Sequence, residues 1–236
     1  MENKIIAAAL VAAGLTAGGF FPGYYYYKTH ADSRTVLVKG LAEQDVKADL
    51  AIWSLKVVVN GNNLQEVQQK IEAQVKQIYA FLQKQGFASD EISSGALETN
   101  DLMANPYRDN TAATTSRFIL NQTITVRTGN VDTVAAALSE TNALVAQNIV
   151  LENQTAAYFF TKLNEVKPQM LKAATENARQ AALEFAHNSG SQVGKIKNAN
   201  QGVFSIQPRD DPNAYEPSQI NKKVRVVATI DYFLED

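Results

Sequence analysis

The positions of apolar residues divide the chain into an N-terminal apolar segment and a longer region in which two spacings alternate. Over residues 50–60 every second side chain is apolar, as in a β-strand with one buried face. Over residues 64–85 apolar side chains recur every three or four positions, which predicts an amphipathic helix. Asn63 is its predicted N-cap and Gly86 its C-terminal stop.

The same two spacings predict the remaining elements. Strands are predicted at residues 34–46, 50–60, 92–102, 117–128, 149–161, 194–205 and 222–234, and helices at 64–85, 131–144 and 165–188. The order ββαββαβαββ predicts an α+β fold in which antiparallel sheets are covered by helices. Because the connection after residue 46 is short, the first two strands are expected to pair as a hairpin.

The N-terminal apolar segment predicts one transmembrane helix ahead of this fold. No charge separates Lys4 from Lys28, and about 20 apolar residues suffice to cross a bilayer as a helix. The tyrosines and lysine at its end are typical of a membrane–water interface. These predicted interface residues are Tyr24, Tyr25, Tyr26, Tyr27 and Lys28.

A cleaved export signal is the alternative interpretation of this segment. Ala17-Gly18-Gly19 offers small residues for cleavage, but the mature chain would then begin with Phe20-Phe21. We therefore favour an anchor at residues 1–29, a linker at 30–35 and an exported domain at 36–236. The expected location is the inner membrane, single-pass, with the C-terminal domain in the periplasm. Cleavage would instead leave a soluble periplasmic protein.

Composition narrows the class of protein further. The chain of 236 residues has a net charge of −2 and no run of more than two basic residues, which argues against nucleic-acid binding. It has no cysteine, so disulfides and thiolate metal sites are excluded, which suits a bacterial periplasm.

Residues suited to catalysis or metal binding are sparse. His30 falls in the linker, and His187 falls at the end of a predicted helix, where a histidine interacts favourably with the helix dipole. Asp210, Asp211 and Glu216 could bind a hard cation, but their spacing is not that of a calcium loop, which favours a solvated loop. We therefore predict no enzyme, no cofactor and no metal site. The alternative is a ligand-binding, metal-binding or enzymatic module with its site between the loops 100–116 and 207–218.

Several short motifs occur in a recognisable order. Near the start of the domain are Val38-Lys39-Gly40-Leu41-Ala42-Glu43 and Ala48-Asp49-Leu50-Ala51. An alanine-rich stretch at 174–186 follows much later, and it leads to Gly190 and Gly194-Lys195. This series resembles the SIMPL domain family (DUF541), which includes bacterial periplasmic immunogenic and oxidative-stress-associated proteins. Ala48 departs from the family's usual proline, and Arg117 stands where glycine is common.

The resemblance implies an exported α+β domain that in some members assembles into ring-like homo-oligomers. It implies no agreed catalytic activity. Taken with the anchor, it predicts a membrane-tethered, periplasm-facing protein that acts without catalysis by ring-like homo-oligomeric assembly, with an envelope scaffold or stress-protection role. A further protein partner is not identified by the sequence.

Overall fold

The computed structural model describes residues 34–104 and 116–235, together with residues 14, 16, 18–21 and 23–26. Ten strands are described: β1 (Thr35–Lys47), β2 (Leu50–Gly61), β3 (Ile92–Ser94), β4 (Glu98–Asp101), β5 (Phe118–Thr128), β6 (Leu151–Asn153), β7 (Ala156–Phe159), β8 (Gln192–Gln201), β9 (Ser205–Pro208) and β10 (Asn221–Glu235). The helices are α1 (Leu64–Lys84), α2 (Val131–Ser139), α3 (Asn142–Val145) and α4 (Leu163–Asn188), with a 3₁₀ turn at Glu216–Ser218.

The strands form two sheets. In the six-stranded sheet, β2 lies between β5 and the pair β6 and β7, while β3 and β4 pair with the other edge of β5. In the four-stranded sheet, β10 lies between β1 and β8 and also pairs with β9. The strand pairs of known register are antiparallel, which confirms the predicted combination of antiparallel sheets and helices.

The predicted hairpin of the first two strands is wrong, because β1 and β2 belong to different sheets. The chain changes sheet within two residues. The Ala48 amide donates to the Ile220 carbonyl at 2.8 Å, whereas the Asp49 amide donates to the Phe159 carbonyl at 2.9 Å. Both strands therefore find their partners far along the chain.

The predicted order also merges elements that the structure separates. The strand predicted at 92–102 is β3 and β4, because Ser94 faces Ile124 while Glu98 faces Asn121, so one extra residue bulges from the edge. The strand predicted at 149–161 is likewise β6 and β7, with a register shift within β6. The strand predicted at 194–205 is β8 and β9.

One predicted helix is also divided. Residues 131–144 form α2 and the start of α3, separated by a turn at residues 140 and 141. The Thr141 hydroxyl donates to the Leu138 carbonyl at 2.8 Å, which stabilises this turn. The helices predicted at 64–85 and 165–188 correspond to α1 and α4, the latter beginning slightly earlier.

The chain forms two compact units made of interleaved segments. Unit 1 comprises Met1–Gln44, Val166–Ser205 and Arg225–Asp236. Unit 2 comprises Asp45–Glu165 and Ile206–Val224.

Unit 2 contains a core of large side chains between the six-stranded sheet and α1. Trp53, Leu55 and Val57 project from one face of β2 and are fully buried. They share this core with Ile71, Ile78 and Leu82 of α1. The predicted apolar stripe of α1 is thus confirmed in its centre, although Leu64 at its start is exposed.

The predicted ends of α1 are also confirmed. The Asn63 side chain accepts a hydrogen bond from the Gln65 amide at 3.0 Å, as an N-cap does. Gly86 follows the helix with φ of +95°, a left-handed conformation that glycine adopts without a steric penalty.

Unit 1 has a core of a different kind. The buried face of α4 consists of Met170, Ala174, Ala178, Ala182 and Ala186. Gly40 of β1 lies against this face so closely that a Cβ atom there would be 2.8 Å from the Ala178 Cβ and nearer still to the Ala174 carbonyl oxygen. The alanines and Gly40 therefore let the helix backbone approach the sheet.

The predicted anchor at 1–29 is described only in part, and Tyr27 and Lys28 lie outside the described residues. Tyr24, Tyr25 and Tyr26 are helical and exposed, and the Tyr24 ring stacks on Phe20 with centroids 6.0 Å apart. Within the part of the chain that the structure describes, no helix is long and apolar enough to cross a membrane.

Candidate functional site

The loops of the alternative predicted site lie at opposite ends of β2 in unit 2. Asp101 pairs with Phe118, which in turn faces Gly61 at the end of β2. Ile220 bonds to Ala48, just before β2 begins. A strand of this length spans about 35 Å. The described parts of the two loops, 100–104 and 207–218, are therefore not brought together, and residues 105–115 lie outside the described residues.

The acidic residues predicted as possible cation ligands have separate partners. Asp210 forms an ion pair with Arg209 at 2.7 Å, and these hydrogen bonds lower the pKa of Asp210 below its usual value. Asp211 accepts a hydrogen bond from the Asn213 amide at 2.9 Å. Both aspartates are exposed. Over residues 34–104 and 116–235, no three acidic or histidine side chains come together to hold a metal ion.

Of the two histidines, only His187 lies among the described residues. His187 is exposed in the last turn of α4, in agreement with its predicted position at a helix C-terminus. His30 lies outside the described residues.

A buried lysine is the polar feature that sequence reasoning missed. The side chain of Lys222, at the start of β10, has no solvent-exposed surface. Its ammonium group donates to the Glu216 carbonyl oxygen at 2.9 Å and forms an ion pair with the Glu216 carboxylate. Lys222 lies two and four positions before the inward-facing Val224 and Val226, on the same side of β10. This alternation is the feature of the sequence that could have predicted its burial. The pair fastens the 3₁₀ turn to β10 and gives Lys222 a structural role.

A shallow hollow of about 460 Å³ lies in unit 2 between α2, β7 and residues 218–221. Leu138 and Ala156 form its apolar part, and Ser218 and Gln219 contribute polar groups. Burial, followed by the charge of Asp132, raises the pKa of Tyr158, so its phenol stays protonated at neutral pH. The hollow therefore presents hydroxyl and amide groups.

The sheet of unit 1 has a second face that is not covered by α4. Along β1, Val38, Gly40 and Ala42 are buried, whereas the alternate residues project the other way and are exposed. Leu37 is 66% exposed and Leu41 is 41% exposed. We call the surface formed by these alternate residues the open face.

Charged pairs lie beside the exposed leucines on the open face. Glu43 of β1 faces Arg225 of β10 at 3.7 Å. Lys197 of β8 lies 3.5 Å from Asp231 of β10 and 5.9 Å from the centre of the Phe233 ring. Exposed apolar side chains among charged pairs are the composition of a protein-contacting surface, with an apolar centre and a polar rim.

A family model described as SIMPL, protein of unknown function (DUF541), matches residues 36–231. The chain belongs to the SIMPL family. The resemblance drawn from short motifs is thereby confirmed over most of the chain. No curated protein matches the chain.

The structure explains the motifs of this SIMPL chain as packing contacts. The segment around Gly40 is the part of β1 that lies against α4, and the alanine-rich stretch is the buried face of that helix. The Leu41 amide also donates to the Asn177 side chain of α4 at 3.0 Å. The Gly40 segment and the alanine-rich stretch, which carry part of the resemblance, thus hold unit 1 together.

Proposed function

We propose that this SIMPL protein acts without catalysis, by assembling copies of itself while tethered to the bacterial inner membrane with its domain in the periplasm. Its role would be that of an envelope scaffold or of stress protection. The observation that carries the proposal is the open face of unit 1, where Leu37 and Leu41 are exposed beside charged side chains. Burial of such leucines against another protein removes apolar surface from water and favours association.

The N-terminal segment supports tethering. An uncharged stretch between Lys4 and Lys28 is long enough to span a bilayer, and tyrosines follow it. Tethering holds copies at one surface and raises their effective concentration, so a contact too weak to form in dilute solution can form at the membrane.

A non-enzymatic role is supported by the way the described ionisable side chains are engaged. Asp101, Asp210 and Glu216 are each paired with a basic residue, and the residues that line the hollow beside Tyr158 include no carboxylate or histidine that could act as a base on Ser218. An active site of the usual kind would bring an acid, a base or a nucleophile together in one cavity.

Light scattering coupled to size-exclusion chromatography tests the assembly. The full chain, extracted from membranes in detergent, is expected to give a protein mass of several copies at micromolar concentration. A strict monomer under these conditions would overturn the proposal. N-terminal sequencing of the same material tests the tether, since a mature chain that begins at or after Phe20 would contradict it.

A further inference from the structure

We propose that residues 35–39 of β1 pair antiparallel with the same residues of a second copy, with the two-fold axis at Leu37. The two four-stranded sheets would then form one continuous sheet. This inference rests on the proposed self-assembly and names the contact through which two copies meet.

The position of β1 in the sheet provides the unpaired edge. β1 lies at the end of the order β1, β10, β8, so one of its sides faces β10 and the other faces no described strand. A strand at a sheet edge presents unpaired backbone donors and acceptors, and these groups are satisfied by another extended strand.

The hydrogen bonds of β1 show which residues point outward. The Leu234 amide donates to the Arg34 carbonyl at 2.8 Å, which directs the backbone groups of Arg34 toward β10. Since these groups alternate sides along an antiparallel strand, those of Thr35, Leu37 and Lys39 point away from β10. The next outward amide, that of Leu41, is already bonded to Asn177 of α4 at 3.0 Å.

Because Asn177 occupies the Leu41 amide, the outward backbone groups of β1 that remain available for pairing end before Leu41. This boundary helps to select the register in which two copies can pair. A two-fold axis at Leu37 places Leu37 opposite Leu37 of the second copy, and Thr35 opposite Lys39. The outward backbone groups of all three residues are then paired in both copies. Each facing pair exchanges two hydrogen bonds in an antiparallel ladder. An axis at Leu41 would require the amide that Asn177 occupies.

The charges of the segment favour the same register. Lys39 is its only charged residue. An axis at Lys39 would place two ammonium groups directly opposite one another, which destabilises a strand pair. With the axis at Leu37, the two lysines are separated by about 13 Å along the strands. The exposed Leu37 side chains then contact each other on the open face.

The connection to the membrane is compatible with this pairing. With the axis at Leu37, the two Arg34 residues lie about 20 Å apart along the paired strands. Each is joined by only a few linker residues to the predicted anchor. Two copies tethered in one membrane can thus reach the arrangement, and for this reason a second copy is the occupant we assign.

Cysteine cross-linking in native membranes tests the contact and its register. The chain has no cysteine of its own, so Leu37→Cys introduces a single reactive thiol. Facing residues in an antiparallel pair are close enough for a disulfide, so oxidation is expected to convert most of this variant to a covalent dimer. Val203→Cys, also in unit 1 and 90% exposed, is the matched control and is expected to remain a monomer on denaturing gels.

A mixture of two variants tests the axis position. Thr35→Cys and Lys39→Cys, coexpressed with different tags, are expected to form a mixed disulfide, while each alone is expected to cross-link weakly. Strong cross-linking of Lys39→Cys with itself would contradict an axis at Leu37.

A proline substitution tests the role of the backbone. Lys39→Pro removes an outward amide and leaves the bonds to β10 intact, so the fold is expected to persist by circular dichroism. Loss of the paired hydrogen bonds is expected to lower the dimer yield of the Leu37→Cys variant about tenfold. Lys39→Ala is the control and should retain the yield.

The outcomes separate this inference from the proposed function. An oligomer by light scattering without a Leu37→Cys dimer would overturn the edge contact while self-assembly stands. A monomer in both measurements would overturn both. Cross-linking of Leu37→Cys to a different envelope protein would overturn the second copy as the occupant.

Discussion

The two units pack in opposite ways. In unit 2, Trp53 and its neighbours fill the space between a sheet and α1 with large side chains. In unit 1, α4 lies against β1 with alanines and Gly40 at the contact, so the two backbones approach closely. The stability of unit 2 should therefore fall when a core side chain is made smaller. The stability of unit 1 should fall when a side chain at the contact between α4 and β1 is made larger.

The largest expected effect is the removal of Trp53, the chain's only tryptophan. Trp53→Ala should lower the free energy of unfolding by about 4 kcal/mol, because it leaves a large cavity in unit 2. Chemical denaturation followed by circular dichroism measures this change.

Trp53→Phe is the informative control. The indole nitrogen of Trp53 is buried without an acceptor among the described residues, and its loss removes a desolvation penalty. The phenylalanine variant should therefore lose only about 1 kcal/mol. Equal losses for the two variants would show that the indole N–H makes a stabilising bond.

In unit 1 the corresponding experiment adds a methyl group. Gly40→Ala should destabilise the protein by about 3 kcal/mol, because the new Cβ would collide with the backbone of α4 at Ala174. Gly61→Ala in unit 2 is the matched control. A Cβ there would lie 2.7 Å from a methyl group of Val67, which can move, so the loss should be smaller. Wild-type stability for Gly40→Ala would show that α4 does not need this close approach.

The packing of unit 2 could be predicted from the sequence, whereas the buried face of β1 in unit 1 could not. The stripe of α1 and the alternation of β2 place large apolar residues inside, as periodicity assumes. In β1 the small residues Gly40 and Ala42 are buried while Leu37 and Leu41 are exposed. Because Val36-Leu37-Val38 is apolar at every position, alternation there gives no indication of the exposed face.

The partners of β1 and β2 could not be predicted from local pattern. A two-residue connection is compatible with a hairpin, and only distant strands determine that β1 pairs with β10 and β2 with β5. The separation of the described parts of the two candidate loops could not be predicted for a similar reason. These parts are separated by the length of β2, a distance that depends on which strands pair and not on residue type.

A moderate effect is expected at Lys222, where unit 2 buries a charge instead of an apolar side chain. Glu216→Ala should lower stability by about 2 kcal/mol, because it leaves the buried ammonium group with a carbonyl as its remaining acceptor. Lys222→Met should cost about 1 kcal/mol, because the Glu216 side chain is 31% exposed and can be hydrated. Thermal unfolding of the two variants measures the difference, and the reverse order would contradict this account.

The smallest effects are expected at two exposed ion pairs of unit 2, whose contributions to stability should depend on pH to different extents. Hydrogen bonds from Arg117 lower the pKa of Asp101, and those from Arg209 lower the pKa of Asp210. A carboxylate whose pKa is lowered on folding stabilises the protein above its unfolded pKa, about 4, and loses this contribution as pH falls through the folded value. Arg209 and Asp210 are neighbours in sequence and stay close in the unfolded chain, so their pair should contribute less.

Substitution of each arginine tests this distinction. Arg117→Met should lower the unfolding temperature at neutral pH and have a smaller effect at about pH 3, because that pH lies below the unfolded pKa and part of the contribution of Asp101 is lost there. Arg209→Met should leave the unfolding temperature nearly unchanged at both values. If Arg209→Met had the larger effect, closeness in sequence would not determine what an exposed pair contributes, and the loop at Asp210 would depend on its ion pair for its structure.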